Sequence, residues 1–196
     1  MAISGSGRSL ENLLKFQYKS RFQIVCVVSS NPHCRGNEIA NEHKLPLFVE
    51  SFKNPNDANF AFNLRHKLTS NNVDLVVLAG FLKPWPILEG IDAINIHPAL
   101  LPKFGGKGMY GSRVHEQVLA SGESKSGATV HVVTDQYDQG SIIAQKSCSI
   151  AGLESADEIA HRVFTLECEL LPATINHIAR EGGLASALAK GIRYDV

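Results

Sequence analysis

The fold is decided by residues 74–102, which read DLVVLAGFLKPWPILEGIDAINIHPALLP. This stretch contains two apolar runs, residues 74–78 and 91–96, and each has the length of a buried strand. A glycine turn follows the first run, and Pro98 follows the second, where it stops the strand. Short apolar runs ended by turn residues are typical of the parallel strands of an open sheet.

The same alternation continues on both sides of this stretch. Apolar runs predict further strands at residues 1–4, 22–29 and 46–49, and one-sided apolar faces predict helices at 10–18, 37–43 and 59–69. Beyond residue 111, two β-rich segments, 126–134 and 141–149, predict an antiparallel hairpin joined by the polar link 135–140. Ser155 and Glu158 form a capping box that starts a long helix, which we expect to stop near residue 170 and to resume only beyond Pro172. The sequence therefore predicts an α/β fold, a doubly wound and mostly parallel sheet with a C-terminal antiparallel hairpin and a long helix, in a single domain over residues 1–196.

Composition restricts the classes of partner. Lys plus Arg and Asp plus Glu both number 19, so no excess charge favours binding to nucleic acid or to an anionic membrane. The four cysteines include no C-x-x-C pair, which indicates reduced thiols in a cytoplasmic protein. No apolar run reaches the roughly 18 residues of a membrane helix, and no leader-like segment opens the chain, so we expect neither a membrane span nor export. A small-molecule ligand fits this composition best.

Three polar side chains form the strongest chemical pattern. Asn95 and His97 are two residues apart on one strand, so they share a face at the carboxyl end, where open parallel sheets bind ligands. Asp138 follows about forty residues later, two residues before Gly140. An amide, an imidazole and a carboxylate could together serve one reactive centre. Two other interpretations stay open: a hairpin turn at Asp138, and a metal site made of His97, His131 and Asp138.

The N-terminal turn SGSGRS, residues 4–9, joins the first predicted strand to the first helix. Small residues allow the helix amino terminus to approach an anion, and Arg8 and Ser9 add donors. Leu10 occupies the third glycine position of the dinucleotide fingerprint, so that motif is absent. The turn predicts a phosphate site, with an ordinary tight turn between strand and helix as the alternative.

Four segments occur in an order that resembles a known family. They are the SGSGRSL start, LAGFL at 78–82, NIHPALLP at 95–102, and GATVHVV at 127–133 leading to Asp138. The chain is similar to the folate-dependent formyltransferases, and within them to the phosphoribosylglycinamide formyltransferases of purine biosynthesis. The resemblance implies a Rossmann-like formyltransferase fold. It also implies formyl transfer from 10-formyltetrahydrofolate, as cosubstrate, to the amino group of glycinamide ribonucleotide, without a metal.

The residues make independent sense of this reaction. When an amine attacks a formyl carbon, the carbonyl oxygen gains negative charge, and an amide or imidazolium donor stabilises it. Asn95 and His97 fit that role. The attacking nitrogen must lose a proton, for which Asp138 is the candidate. We expect His131, on the same strand face as Thr129, to orient the carboxylate.

The matching segments of the family imply the remaining site residues. Gly7, Arg8 and Ser9 are expected at the nucleotide phosphate and Glu167 at the ribose or glycinamide, although the sequence alone does not separate Glu167 from Glu169. The residues expected to line the folate pocket are Phe81, Leu82, Lys83, Thr134, Asp135, Gln136 and Tyr137.

Two alternative functions stay open. One is another folate-dependent formyltransferase or a 10-formyltetrahydrofolate hydrolase, and the other is a non-catalytic nucleotide-binding α/β module. We expect a monomer or a homodimer.

The chain also departs from the family pattern in three places. The first strand is short, which suggests a truncated start, and Arg8 stands in place of a small hydroxyl residue. The third departure is a glycine-rich loop at 104–111, which suggests a lid.

Overall fold

A computed structural model describes residues 1–54 and 57–190. Its strands are β1 (Ala2–Ile3), β2 (Val27–Ser29), β3 (Leu47–Val49), β4 (Leu75–Ala79), β5 (Asp92–His97), β6 (Lys125–Val132) and β7 (Ile142–Ser149). Its helices are α1 (Arg8–Gln17), α2 (Arg35–Glu42), α3 (Ala58–Ser70), α4 (Ser112–Ala120), α5 (Ala156–Arg180) and α6 (Leu184–Ala189). The strands follow the order β3-β2-β1-β4-β5-β6-β7 in one sheet.

The chain divides into two compact units, Met1–Ile94 and a second that begins at Asn95. In the first unit, β1 pairs in parallel with both β2 and β4, and β2 pairs in parallel with β3. In the second unit, β6 and β7 form an antiparallel pair whose register shifts between Val130 and His131. The mostly parallel α/β fold with a late antiparallel hairpin is therefore confirmed. The single-domain organisation stays a prediction.

β2 is shorter than predicted. The sequence predicts a strand over 22–29, whereas the paired residues begin at Val27. The cause is the register of its two neighbours: Val27 lies opposite Leu47, and Val28 lies opposite Ala2. The first paired residues of the neighbouring strands, Ala2 of β1 and Leu47 of β3, therefore leave the residues before Val27 without a partner in the register.

The long helix runs further than predicted. The capping box at Ser155 and Glu158 is present, but α5 continues through Pro172 to Arg180 instead of stopping near residue 170. Pro172 removes one helical hydrogen bond, at a cost of about 3 kcal/mol. Buried apolar side chains on both sides of it, including Leu171 and Ile175, pack the helix against its surroundings and offset that cost.

Helices α4 and α6 were not predicted from the sequence. The buried face of α4 consists only of Val114, His115 and Val118, so its apolar pattern is too short to indicate a helix. In the second unit, β6 contributes Ala128 and Val130 to the core, both fully buried. Among residues 1–54 and 57–190, no helix is long and apolar enough to cross a membrane.

Candidate active site

Asn95 and His97 lie at the end of β5, which stops at His97 immediately before Pro98. The side chain of His97 is only 4% exposed. Its Nε2–H donates to the carbonyl oxygen of Phe104 at 2.8 Å, so its Nδ1 is the ring atom that faces Asp138. The distance from Nδ1 to Asp138 Oδ2 is 3.6 Å.

Asp138 has a left-handed backbone, with φ 57, which is unusual for a residue other than glycine. Its Oδ2 accepts from the backbone N–H of Gly106 at 2.9 Å. Burial acts to raise the pKa of Asp138, but hydrogen bonding to His131, the charge interaction with His97 and the Gly106 N–H outweigh burial and hold this pKa below its ordinary value. Asp138 is therefore an ionised carboxylate at neutral pH.

His131 lies between Asn95 and Asp138. Its Nδ1–H donates to the carbonyl of Val132 at 2.9 Å, and its Nε2 is 3.1 Å from Asn95 Nδ2 and 3.3 Å from Asp138 Oδ1. In the neutral ring Nε2 has a lone pair and accepts from the Asn95 amide. With a second proton on the ring, Nε2 becomes a donor towards Asp138 instead, and this is the hydrogen bond that lowers the pKa of Asp138. The register shift in β6 occurs just before His131, and bulges of this kind redirect a side chain.

Burial also controls the charge of His97. Burial lowers the pKa of this imidazole, and the neighbouring Asp138 and the Phe104 carbonyl only partly offset the effect. His97 is therefore neutral at pH 7, with its proton on Nε2. The site combines a neutral imidazole with a carboxylate whose charge is stabilised.

Two main-chain groups of this site were missed by the sequence analysis, the carbonyl of Phe104 and the N–H of Gly106. Main-chain groups are common to almost every residue, so no residue type indicates them. The backbone of Phe104 is left-handed, with φ 58, and that of Gly106 has φ 102. A Cβ on Gly105 would lie 2.5 Å from Leu101 Cδ2, so this loop passes close to its neighbours.

The predicted phosphate turn lies in the first unit. Gly7 caps α1 with φ 74, and no side chain caps the helix amino terminus. A Cβ on Gly7 would lie 2.7 Å from Gly36 Cα, so only glycine fits where the turn meets α2. Arg8 is exposed in the first turn of α1, and Ser9 is half-buried beside it. Both residues lie in the first turn of α1, and their contact with a phosphate stays a prediction.

The residues predicted for folate binding lie in both units. In the first unit, Phe81 packs edge-on against Phe52 and Trp85, with ring centroids 4.8 and 5.4 Å away, while Leu82 is 45% exposed. Lys83 is also exposed.

In the second unit, residues 134–137 form an exposed turn, in which Thr134 Oγ1 donates to the Gln136 carbonyl at 3.0 Å. Asp135 is exposed in the same turn. Burial, Asp138 and Tyr110 raise the pKa of Tyr137.

Glu167 and Glu169 differ in their surroundings on α5. Glu169 is exposed and pairs with Lys146 at 2.7 Å. Glu167 is half-buried. The assignment of Glu167 to the ribose or glycinamide stays a prediction.

The alternative metal site would use His97, His131 and Asp138. In the described part of the chain, no group of three or more histidine, cysteine, aspartate or glutamate residues is arranged to hold a metal ion. The absence of a metal from the reaction stays a prediction.

The formyl transferase family model matches residues 1–175 of this chain. The chain belongs to the formyl transferase family. The match covers the glycine turn, the strand that carries Asn95 and His97, and the loop that carries Asp138.

Individual members of the formyl transferase family are similar over most of this chain. Phosphoribosylglycinamide formyltransferase, chloroplastic, of Arabidopsis thaliana is 38% identical over 165 residues, which are 81% of this chain and 56% of the relative. The protein of the same description from Vigna unguiculata is 35% identical over 91% of this chain and 60% of the relative. The chain thus spans less than two thirds of the length of these relatives.

A crystal structure of phosphoribosylglycinamide formyltransferase from Anaplasma phagocytophilum is similar in fold and sequence. It has a TM-score of 0.77 and 34% identity, and the match covers 92% of this chain and 85% of that one. The Rossmann-like formyl transferase fold is confirmed.

Proposed function

We propose that this protein transfers the formyl group of 10-formyltetrahydrofolate to the amino group of glycinamide ribonucleotide, giving the formylated nucleotide and tetrahydrofolate. The observation that carries the proposal is the cluster of Asn95, His97, His131 and Asp138 in a member of the formyl transferase family. The names of the relatives support this choice of acceptor.

Asn95 supplies the donor for the transition state. Its Nδ2 carries two hydrogens, and one is directed to His131 Nε2 at 3.1 Å. The second can donate to the formyl oxygen as that atom gains negative charge. A fixed donor at this place contributes on the order of 10²–10³ in rate, because it needs no reorganisation during the reaction.

Asp138 is the proton acceptor of the proposed mechanism. The amine of the nucleotide becomes positively charged as it attacks the formyl carbon, and its proton passes to the Asp138 carboxylate, directly or through water. His97 Nδ1, 3.6 Å from Asp138 Oδ2, can then share that proton, and the positive charge of the imidazolium stabilises the oxyanion. The proton finally passes to the folate nitrogen that leaves.

The other binding roles complete the proposal. Gly7, Arg8 and Ser9 hold the nucleotide phosphate, and Glu167 holds the ribose or glycinamide. The folate contacts are those at 81–83 and 134–137. The single-domain organisation, the cytoplasmic location and the monomeric or homodimeric state stay predictions.

The test is formyl transfer by the purified protein. One reaction contains 10-formyltetrahydrofolate and glycinamide ribonucleotide, the second omits the nucleotide, and the third adds a chelator. Turnover that needs the nucleotide and survives the chelator supports the proposal. Release of formate without the nucleotide would instead identify a hydrolase, and nucleotide binding without any turnover would identify a binding module.

A further inference from the structure

Gln145 has no assigned role, yet it joins two parts of the second unit. It lies on β7 directly opposite Thr129 of β6, and directly opposed residues of an antiparallel pair share a face. Its Nε2 donates to Thr129 Oγ1 at 2.8 Å and to the carbonyl of Leu101 at 3.0 Å. Both hydrogens of this amide are therefore used, one on the sheet and one on the loop that follows His97.

The hydroxyl of Thr129 is fully used as well. It donates to the carbonyl of Ala99 at 2.6 Å and accepts from the N–H of Leu101 at 3.1 Å and from Gln145. A hydroxyl has one donor and two acceptor positions, so none remains. Thr129 is 0% exposed, and water cannot replace a lost partner without rearrangement. The hydroxyl cannot change partners without breaking one of these three hydrogen bonds.

The loop held by this network reaches the catalytic cluster a few residues later. Leu100 lies against the sheet, because a Cβ on Gly127 would be 2.6 Å from Leu100 Cδ2. The same loop then provides the Phe104 carbonyl for His97 and the Gly106 N–H for Asp138. A displacement at Leu101 would therefore move both of these main-chain groups.

We propose that Gln145 is a positioning residue for formyl transfer, which acts through Thr129 and Leu101 to hold the loop that orients His97 and Asp138. This inference rests on the proposed function and adds a residue on which the rate of that reaction depends. Gln145 itself touches neither His97 nor Asp138 in the network described.

The first experiment replaces Gln145 by Leu and by Glu. Leu removes the amide, and Glu keeps its length but replaces the donating nitrogen by an oxygen, so both lose the two hydrogen bonds. We expect kcat to fall about 10- to 100-fold in each, as for a displacement of about 1 Å at a reacting group. The KM values for the nucleotide and for the folate should each change by less than about twofold, because the binding contacts stay in place.

The pH dependence separates positioning from simple loss of stability. The Gly106 N–H helps to lower the pKa of Asp138, so displacement of the loop raises that pKa and moves the acid limb of kcat to higher pH. A variant that is only less stable would have a lower melting temperature and an unchanged acid limb, and that result would overturn the proposal.

Variants of Thr129 supply the second experiment. Thr129→Val removes the hydroxyl at nearly constant shape, whereas Thr129→Ser keeps it. We expect Thr129→Ser to retain kcat. The double variant Gln145→Leu/Thr129→Val should lose no more of its kcat than the worse single variant does, because both changes break the same network. Fully additive losses would contradict the inference. Ser147→Ala, an exposed change on β7, the strand of Gln145, is the control and should leave kcat unchanged.

A readout without turnover distinguishes this inference from the proposed function. The ring of His97 is titrated by NMR in the unsubstituted protein, in Gln145→Leu and in Thr129→Val. If the unsubstituted protein lacks transferase activity, the proposed function is wrong, but a shift of the His97 titration in either variant still supports the positioning network. If the protein is active and both variants keep its kcat and its His97 titration, Gln145 is not a positioning residue. Circular dichroism identifies any variant that does not fold. If one of the two variants does not fold, the result for the other decides whether Gln145 is a positioning residue.

Discussion

Asp138→Asn changes the charge at the centre of the candidate site with little change of shape. The backbone at Asp138 is left-handed, with φ 57, and asparagine tolerates this conformation better than most residues. The amide oxygen of asparagine can still accept the Gly106 N–H that Asp138 Oδ2 accepts at 2.9 Å. The substitution therefore removes the proton acceptor and leaves the loop contact in place.

The expected loss follows from the role of the carboxylate. A positioned general base contributes about 10²–10⁴ in rate, so kcat for Asp138→Asn should fall by that factor, equivalent to about 3 to 5 kcal/mol in the activation barrier. The KM for the nucleotide should change by less than about twofold, since its phosphate contacts are proposed at Gly7, Arg8 and Ser9.

The assay combines turnover with a titration of His97. The negative charge of Asp138 raises the pKa of His97, in opposition to burial, so its removal should lower that pKa further. Steady-state kinetics give kcat and KM, and NMR of the ring gives the pKa. Glu116→Gln removes an exposed carboxylate on α4 and serves as the matched control, with unchanged kinetics and unchanged titration.

Two results would refute this reasoning. A kcat of Asp138→Asn within about threefold of the unsubstituted enzyme would exclude proton transfer by the carboxylate, because even the weakest general bases contribute about 10². An unchanged His97 titration would show that the two groups, 3.6 Å apart in the structure, do not interact in solution.

The other predictions concern binding, packing, capping and pH. Arg8→Ala should raise the KM for the nucleotide about tenfold and leave kcat unchanged, since a hydrogen bond to a charged group is worth about 1.5–3 kcal/mol; an unaltered KM in steady-state assays would exclude a phosphate contact. Gly105→Ala should lower kcat, because the new Cβ would lie 2.5 Å from Leu101 Cδ2 and 3.1 Å from Asp138 Cβ; crystallography of the variant would check for a displaced loop. Ser155→Ala removes the capping box of α5 and should lower the free energy of unfolding by about 1 kcal/mol, measured with urea, while kcat stays constant. The pKa of Asp138 is lower in the folded than in the unfolded protein, so its charge stabilises the fold above about pH 4. This stabilisation is lost as the pH falls through the pKa of Asp138 in the folded protein. The difference in the free energy of unfolding between Asp138→Asn and the unsubstituted protein, measured with urea, should therefore shrink in acid.

The strands were predictable because each is a short apolar run that must be buried in the sheet. The common face of Asn95 and His97 followed from the period of two along β5, and Asp138 followed from the family pattern. The contacts that hold these residues were not predictable in the same way. Phe104 and Gly106 act through main-chain groups, so their residue types do not indicate that they contact His97 and Asp138.

Two further differences have a tertiary origin. Helix α5 continues through Pro172 because packing on both sides outweighs the local preference of proline, and packing cannot be derived from propensity alone. Gln145 is assigned from its register opposite Thr129 across the hairpin. The sequence predicted the hairpin but not the register shift before His131, which decides which residues of β6 and β7 face each other.

The use of main-chain groups at positions 104 and 106 determines how this loop tolerates change. A different side chain at position 104 leaves the carbonyl that holds His97 intact, provided that the residue accepts φ 58, as glycine or asparagine does. An insertion or deletion between His97 and Gly106 would instead shift both partners together. Position 104 thus accepts a change of side chain among residues that adopt this backbone, whereas the segment is sensitive to a change of length. Redesign of the glycine-rich loop should confine added or removed residues to the part beyond Met109.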